Sequence, residues 1–412
     1  MKQNRLRLPQ TLSFAARRAK NRKSPRKTSR VLRQARLIGP LIRFLIISGF
    51  LFWGCEKREV PWKPGMPLAK NDLKIAVLYI TDPFLERAGY SYAHLAGIQY
   101  LRQALELRDE QIMHRINIAD MDQEGIESAM RDCIALGARI IIATSWGYMD
   151  ACEKLAAEFP GVVFAHASGY KSNGVNFTNY FGRIYQARYL SGLAAGLKTR
   201  TGRIGYVAAM GRENSEVTGG INAFALGVEK VNPRARILVR IIHNWFDPIT
   251  ERSAAGDLIA AGCDVIAQHC DTPLPQIEAQ EAGVWGIGYN SDMHQDAPKA
   301  VLTSVVWNWG VYYTALARSV LDGTFTAAPY MGSLDDGMVG ITPLSEALAA
   351  SGSARIIGAE QERLRSGAFD VFEGVLEISG GGRTGAPGSR MSDAEILQGI
   401  HWYYRTVDTL AP

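Results

Sequence analysis

A chain of 412 residues in which 47% are hydrophobic and 21% charged is long enough for more than one packed domain and too apolar for a disordered polymer. Its net charge of +6 is an average over unlike parts, because 14 of the 46 Lys and Arg precede Cys55 and no Asp or Glu does, leaving 32 basic against 40 acidic residues downstream. A net-acidic folded part lacks the basic face that nucleic-acid binding needs, so no nucleic-acid partner is expected.

Residues 1–54 read as a leader. Phe44–Gly54 is apolar, but as a helix it would span about 16 Å, short of a hydrocarbon core of about 30 Å. A charged start, a short apolar run and the Gly54-Cys55 junction fit a secretory signal of the lipoprotein kind, with Cys55 lipidated and exposed as the new N-terminus. Phe52 and Trp53 are bulkier than the residues such signals carry there, so a plain cleaved signal or an uncleaved anchor stays open. Residues 55–71, with Pro61, Pro64 and Pro67, read as an extended tether.

The folded part opens with an apolar strand, Ile75–Ile80, broken at Asp82-Pro83 and followed by a helix over Tyr90–Leu107. Strands over 111–117, 139–144, 162–166 and 175–180 then alternate with helices over 123–136, 150–158 and 185–198. This is the pattern of a parallel sheet flanked by helices. At Thr201-Gly202 the pattern restarts, with strands over 203–208, 236–242, 265–268 and 285–289 separated by helices over 219–232, 248–261 and 275–283. A strand over 302–306 and a helix over 311–322 follow. The tail carries short strands at 337–341 and 374–378, a helix near 354–366, a glycine turn at 380–382 and a closing helix over Asp393–Tyr404, opened by a capping box at Ser392 and Glu395. The division expected is therefore two α/β halves, 72–201 and 202–303, with 304–412 returning to the first half and ending in a tail.

Several enzyme signatures are absent: no GxxxxGK[ST], no GxGxxG after the first strand, no GxSxG and no HExxH. With no activated nucleophile or general base in view, an enzyme acting on nucleosides is disfavoured. Cys133, Cys152, Cys263 and Cys270 show no CxxC spacing and read as buried thiols, not as a disulfide framework. Cys263, His269 and Cys270 lack the second close pair of a zinc site, so neither metal nor cofactor is expected.

What recurs instead is aromatic and acidic residues just past the strands: Ser145–Tyr148, Asn244–Pro248, His269–Pro273, Tyr289–Met293 and Trp307–Gly310. In parallel sheets all these turns open on the carboxyl edge, where ligands of open α/β folds bind. Four of the eight tryptophans lie in them. Flat rings stack on planar ligands while Asp and Asn meet their edge donors and acceptors, a chemistry that suits a purine and, on stacking alone, a sugar as well.

At these positions the chain resembles the basic membrane protein (BMP) family of substrate-binding lipoproteins that serve ABC importers. The stretches that carry the resemblance are Gly89–His94, Thr144–Asp150, Phe164–Tyr170, Ala187–Gly192, Gly220–Phe224, Asn244–Pro248, Gln268–Pro273 and Trp307–Tyr313. The resemblance implies a two-lobed periplasmic binding protein of type I, an α/β fold in which each lobe is a mainly parallel sheet flanked by helices. The chain would cross between lobes near Thr201 and again near 304–310. It also implies an extracytoplasmic receptor, tethered to the membrane, that closes on a purine base or nucleoside and delivers it to a permease. Within that reading Tyr90 and Trp146 stack from the first lobe, Trp245 or Phe246 closes from the second, Asp271 and Asp292 accept N–H groups, and Asn308 and Trp309 lie at the hinge side of the site. Arg183 and Arg188 would pair with carboxylates near the hinge. Where nucleoside-binding relatives carry an Asp and a Lys associated with the ribose, this chain has Asn290 and Trp307, which points to a free base such as adenine. The competing readings are a sugar or other small-solute receptor on the same fold, and a ligand-sensing regulator, which would need a helix-turn-helix ahead of Lys74 where an apolar run and prolines stand.

Overall fold

The computed structural model describes residues 61–411, so the leader, Cys55 and the first part of the tether lie outside the described residues. In chain order the first lobe contains β1 (Ile75–Leu78), α1 (Tyr90–Ala104), β2 (Ile112–Arg115), α2 (Gln123–Ala135), β3 (Ile140–Ala143), α3 (Met149–Glu158), β4 (Val163–Ala167) and β5 (Phe177–Gly182). After α4 (Ile184–Lys198) come β6 (Arg203–Ala208), α5 (Ser215–Val231), β7 (Arg236–Ile241), α6 (Pro248–Ala260), β8 (Val265–His269), α7 (Leu274–Glu281), β9 (Trp285–Asn290) and β10 (Val301–Trp307). The chain ends with α8 (Trp309–Asp322), β11 (Tyr330–Gly332), β12 (Val339–Ile341), α9 (Ser353–Arg365), β13 (Leu376–Ile378), β14 (Gly382–Thr384), α10 (Asp393–Gly399) and β15 (Val407–Thr409).

One sheet runs β11-β5-β4-β3-β1-β2 and is parallel throughout. The other runs β12-β10-β9-β8-β6-β7-β15, and in it only β12 is antiparallel. Strands such as β1 and β3 are buried at every position, which is why they read as unbroken apolar runs and not as alternating ones.

Tertiary packing moves the lobe boundaries away from those expected. The helix assigned to the first half, α4, packs along α5 and against β10, so the chain changes lobe at Gly182-Arg183 and not near Thr201. It returns at Trp307–Trp309, where β10 ends in the second sheet and α8 packs on α1 of the first lobe. A third passage, between β11 and β12, takes it back. Only α8 and β11 of the 304–412 stretch therefore belong to the first lobe. The tail covers the second, through α9 on α4, α10 on α5 and β15 on the edge of β7. The closing helix is shorter than the pattern suggested and stops at Gly399.

The stretch read as a tether is not free from residue 61 onward. Trp62 lies under the Arg139 guanidinium at 5.7 Å, Leu68 N–H donates to the Leu321 carbonyl at 3.1 Å, and Leu68 and Leu73 are buried. Prolines in this stretch shape a strap on the first lobe.

The three passages touch. Arg183 N–H donates to the Gly332 carbonyl at 2.7 Å, Asn308 N–H to the Met338 carbonyl at 2.8 Å, and Leu334 N–H to Gln186 Oε1 at 2.9 Å. Trp309 lies fully buried beside them, stacked on Trp307 at 4.7 Å and 12° and on His94 at 4.4 Å and 18°. Two indoles and an imidazole at stacking distance join the hinge to α1. Trp309→Ala is expected to cost about 3–5 kcal/mol, the range for deleting a buried aromatic, read as a lower urea midpoint at unchanged slope.

Candidate functional site

The carboxyl ends of the two sheets meet around Gly89 and Asp271. Gly89 caps α1 with φ 104°, a left-handed conformation, and a Cβ there would collide with the Asp271 carbonyl oxygen. Its N–H donates to Ser291 Oγ of the second lobe at 3.1 Å. Backbone from one lobe is thus laid directly on a turn of the other.

That turn holds a carboxylate out of water. Asp271 is buried, its N–H donates to the Trp245 carbonyl at 2.9 Å, and its Oδ1 accepts from Asn290 Nδ2 at 2.9 Å. Burial pushes the Asp271 carboxyl well above the ordinary range, neighbouring Glu251 adds to this, and the Asn290 amide opposes it. Glu251 is itself buried, but it is well served. It accepts from Thr272 N–H at 2.9 Å, Thr272 Oγ1 at 2.7 Å and Asp247 N–H at 3.0 Å. Asp271 has no such shell, and Asn290, at the end of β9 with φ 67°, leaves its own buried Oδ1 unpartnered. A ligand N–H is the complement this pair lacks.

Aromatic rings stand near this contact. Tyr90 is half-buried, its hydroxyl donates to the Thr144 carbonyl at 2.5 Å, and its ring stands edge-on to His94 at 4.5 Å and 86°. Tyr289 receives the Trp307 indole N–H at 3.4 Å and carries the Arg188 guanidinium over its ring at 3.9 Å. Arg188 is fully buried and donates through Nη1 to the Gln268 carbonyl at 2.6 Å, while Nε and Nη2 have no partner. Beside it Tyr206, His269 and Glu216 form a chain, with 3.2 Å from Tyr206 Oη to His269 Nδ1 and 3.1 Å from His269 Nε2 to Glu216 Oε1.

Of the residues singled out in the sequence, three gather here. Tyr90, Trp245 and Asp271 meet through the Gly89–Asp271 contact and the Asp271–Trp245 hydrogen bond, and Trp245 stands edge-on to His269 at 5.8 Å. The others lie elsewhere. Trp146 is 54% exposed and lies against Tyr170, and Phe246 is 45% exposed. Both follow their strands on the carboxyl side, but in short turns that carry them to the rim. Asp292 is exposed and accepts from His294 N–H at 2.9 Å in a local turn. Asn308 is exposed and donates to the Gly337 carbonyl at 2.8 Å, tying two hinge passages together. Trp309 is core. Arg183 does pair with a carboxylate, gripping Asp393 through Nε at 2.8 Å and Nη2 at 2.7 Å, whereas Arg188 does not. Glu251 and Glu216 carried no signal in the sequence, whereas Gly89 and Ser291 lie in stretches singled out there.

Comparison with known proteins gives this geometry a family. The family model described as "ABC transporter substrate-binding protein PnrA-like" (Bmp) matches residues 74–365. The chain belongs to this Bmp family. It is 33% identical over 348 residues to the purine-binding protein BAB2_0673 of Brucella abortus, covering 84% of this chain and 96% of that one. It is 34% identical over 313 residues to the putative ABC transporter glucose-binding protein TsgA13 of Haloferax volcanii, covering 75% and 76%. An ABC transporter solute-binding protein of Conexibacter woesei superposes with a TM-score of 0.61 at 19% identity, over 72% of this chain and 98% of the other. The Bmp chain is thus an α/β solute-binding protein of the type I periplasmic architecture, from a family of extracytoplasmic ABC transporter receptors and not of enzymes. Among the described residues no helix is long and apolar enough to cross a membrane, and no group of three or more His, Cys, Asp or Glu is placed to hold a metal. Its four described cysteines are buried and free.

Two outcomes follow for this Bmp protein. Because the folded state holds the Asp271 proton more tightly than the unfolded one, the contribution of this group to stability is fully present below the ordinary Asp range and is lost as pH rises through the raised value. Asp271→Asn is expected to flatten that decline in a series of melting temperatures against pH. Gly89→Ala is expected to hold the lobes apart, giving a larger radius of gyration in solution scattering than the parent with ligand present.

Proposed function

We propose that this protein captures a free purine base of the adenine type between its lobes and passes it to an ABC permease outside the cytoplasm. The observation that carries the reading is the buried Asp271 carboxylate with one side-chain partner, on a residue whose N–H donates to the Trp245 carbonyl and whose own carbonyl lies against Gly89, next to Tyr90 of the other lobe. Planar rings offer faces to the aromatic groups and N–H edges to the carboxylate. The printed name of the Brucella relative supports the ligand class. Asn290 and Trp307 support a base over a nucleoside, because Asn290 is engaged with Asp271 and Trp307 is buried in the hinge, leaving neither a carboxylate nor an ammonium for ribose hydroxyls.

The sequence of events is capture in an open form, closure about the three chain passages, and recognition of the closed form by the permease. Closure without ligand would bury the Asp271 charge with a single amide partner, whereas closure on an N–H donor satisfies it. Ligand therefore favours the closed state through a contact that the open state lacks. On this reading the N-terminal leader places the receptor at the membrane, with Cys55 as its lipid attachment.

A second reading, a sugar receptor, is favoured by the printed name of the Haloferax relative. Titration calorimetry with adenine, adenosine and glucose separates the two. Adenine is expected to bind at about micromolar Kd, equivalent to about 8 kcal/mol, and at least tenfold more tightly than adenosine. Glucose binding in the absence of adenine binding would replace the purine reading with the sugar one.

A further inference from the structure

The loop that carries β1 into α1, residues 79–89, is a stiff projection from the first lobe. Thr81 Oγ1 donates to Ser91 Oγ at 2.7 Å across its neck, Asp82 Oδ1 accepts the Phe84 N–H at 3.0 Å, and the Leu85 N–H donates to the Asp82 carbonyl at 3.2 Å. At the far end the Gly89 carbonyl accepts the Ala93 N–H at 3.0 Å, which joins the loop directly to α1. Burial along it runs against side-chain size. Phe84 is 55% and Leu85 84% exposed, whereas Ala88 is 4% exposed. What covers Ala88 is the other lobe. It belongs to an apolar cluster whose other buried members, Val207, Ala254, Leu258, Cys270 and Met293 among them, all lie in the second lobe. Gly89, the next residue, donates to Ser291 of that lobe and lies against the Asp271 carbonyl. Among the described residues its bond to Ser291 is the one hydrogen bond that joins the lobes away from the hinge.

We infer that the 79–89 loop is a prong whose tip, Ala88, seats in the second lobe when the lobes close, so that Ala88 is a positioning residue that sets ligand affinity through closure and not through contact with the ligand. This rests on the receptor reading, in which the lobes open and close about the hinge, and on no particular ligand. Opening returns Ala88 to water and uncovers part of the apolar cluster, and closure recovers that burial. A ligand held only by the closed form binds with an apparent affinity proportional to the closed population, so a contact that favours closure tightens binding from a distance. Alanine suits the place, because its side chain has no rotamer freedom to lose on burial. A charged side chain at the tip would have to leave water at every closure, whereas in the open form it stays solvated and both lobes keep their packing.

The test sets Ala88→Glu beside Ala88→Ser and Ala254→Glu, with adenine and glucose as the probes. Ala88→Glu is expected to melt close to the parent and to bind whichever probe the parent binds roughly tenfold to a hundredfold more weakly, the usual span of coupling between a conformational equilibrium and a ligand. The loss is expected as faster dissociation, with a larger radius of gyration in solution scattering at a probe concentration that saturates the parent. Ala88→Ser is expected to bind within about threefold of the parent. Ala254→Glu, which puts the charge into the same cluster from inside the second lobe, is expected to lower the melting temperature sharply. An Ala88→Glu protein that binds and scatters like the parent overturns the inference. So does one that melts as low as Ala254→Glu, which would make Ala88 permanent core and not a closing contact. A parent that binds neither probe overturns the ligand readings instead and leaves scattering without probe to decide, where equal radii for parent and Ala88→Glu overturn the prong.

Discussion

A carboxylate pressed between two lobes with one amide for company is the constraint on which the rest of this molecule turns. Taking an ionised side chain out of water costs several kcal/mol unless hydrogen bonds replace its solvation. Glu251, on α6 of the same lobe, receives three such bonds, and Asp271 receives one from Asn290 in addition to the covering backbone of Gly89. The asymmetry is one of hydrogen bonding: Glu251 is satisfied within its own lobe, and Asp271 has a single side-chain partner. It also makes closure conditional, since the empty closed form must hold Asp271 protonated or poorly solvated.

The hinge is built to make that condition matter. Three chain passages lie side by side, linked by backbone hydrogen bonds from Arg183 to Gly332 and from Asn308 to Met338, so the lobes swing about a narrow zone. Trp307 and Trp309 stack there, and Trp307 touches Tyr289, whose ring carries Arg188. The aromatic residues expected to clasp the ligand are in part the packing of this hinge. The tail adds a further restraint, because α10 reaches the first passage through the Arg183–Asp393 pair, and both side chains are about one-third exposed. That pair contributes orientation more than stability.

Charge is unevenly spread along the chain, with a basic stretch ahead of Cys55 and a net-acidic remainder. Where the lobes touch, the buried carboxylate is Asp271 and the buried cation is Arg188, stacked on Tyr289.

By itself the sequence determined the two α/β halves, the parallel sheets and the edge on which ligands meet them, because strand and helix periodicity and the turns after strands are local properties. It also marked the turns that hold Asp271 and Trp245. The lobe boundaries were decided only by tertiary structure: α4 follows β5 in sequence with nothing local to show that its small residues pack on α5 of the other lobe. The same holds for Trp309, which is buried, and for Trp146 and Phe246, which are exposed, although all three follow strands in similar aromatic turns. Burial of residues such as Asp271 and Arg188 depends on contacts between residues far apart in the chain, and a linear pattern does not encode which of these contacts form.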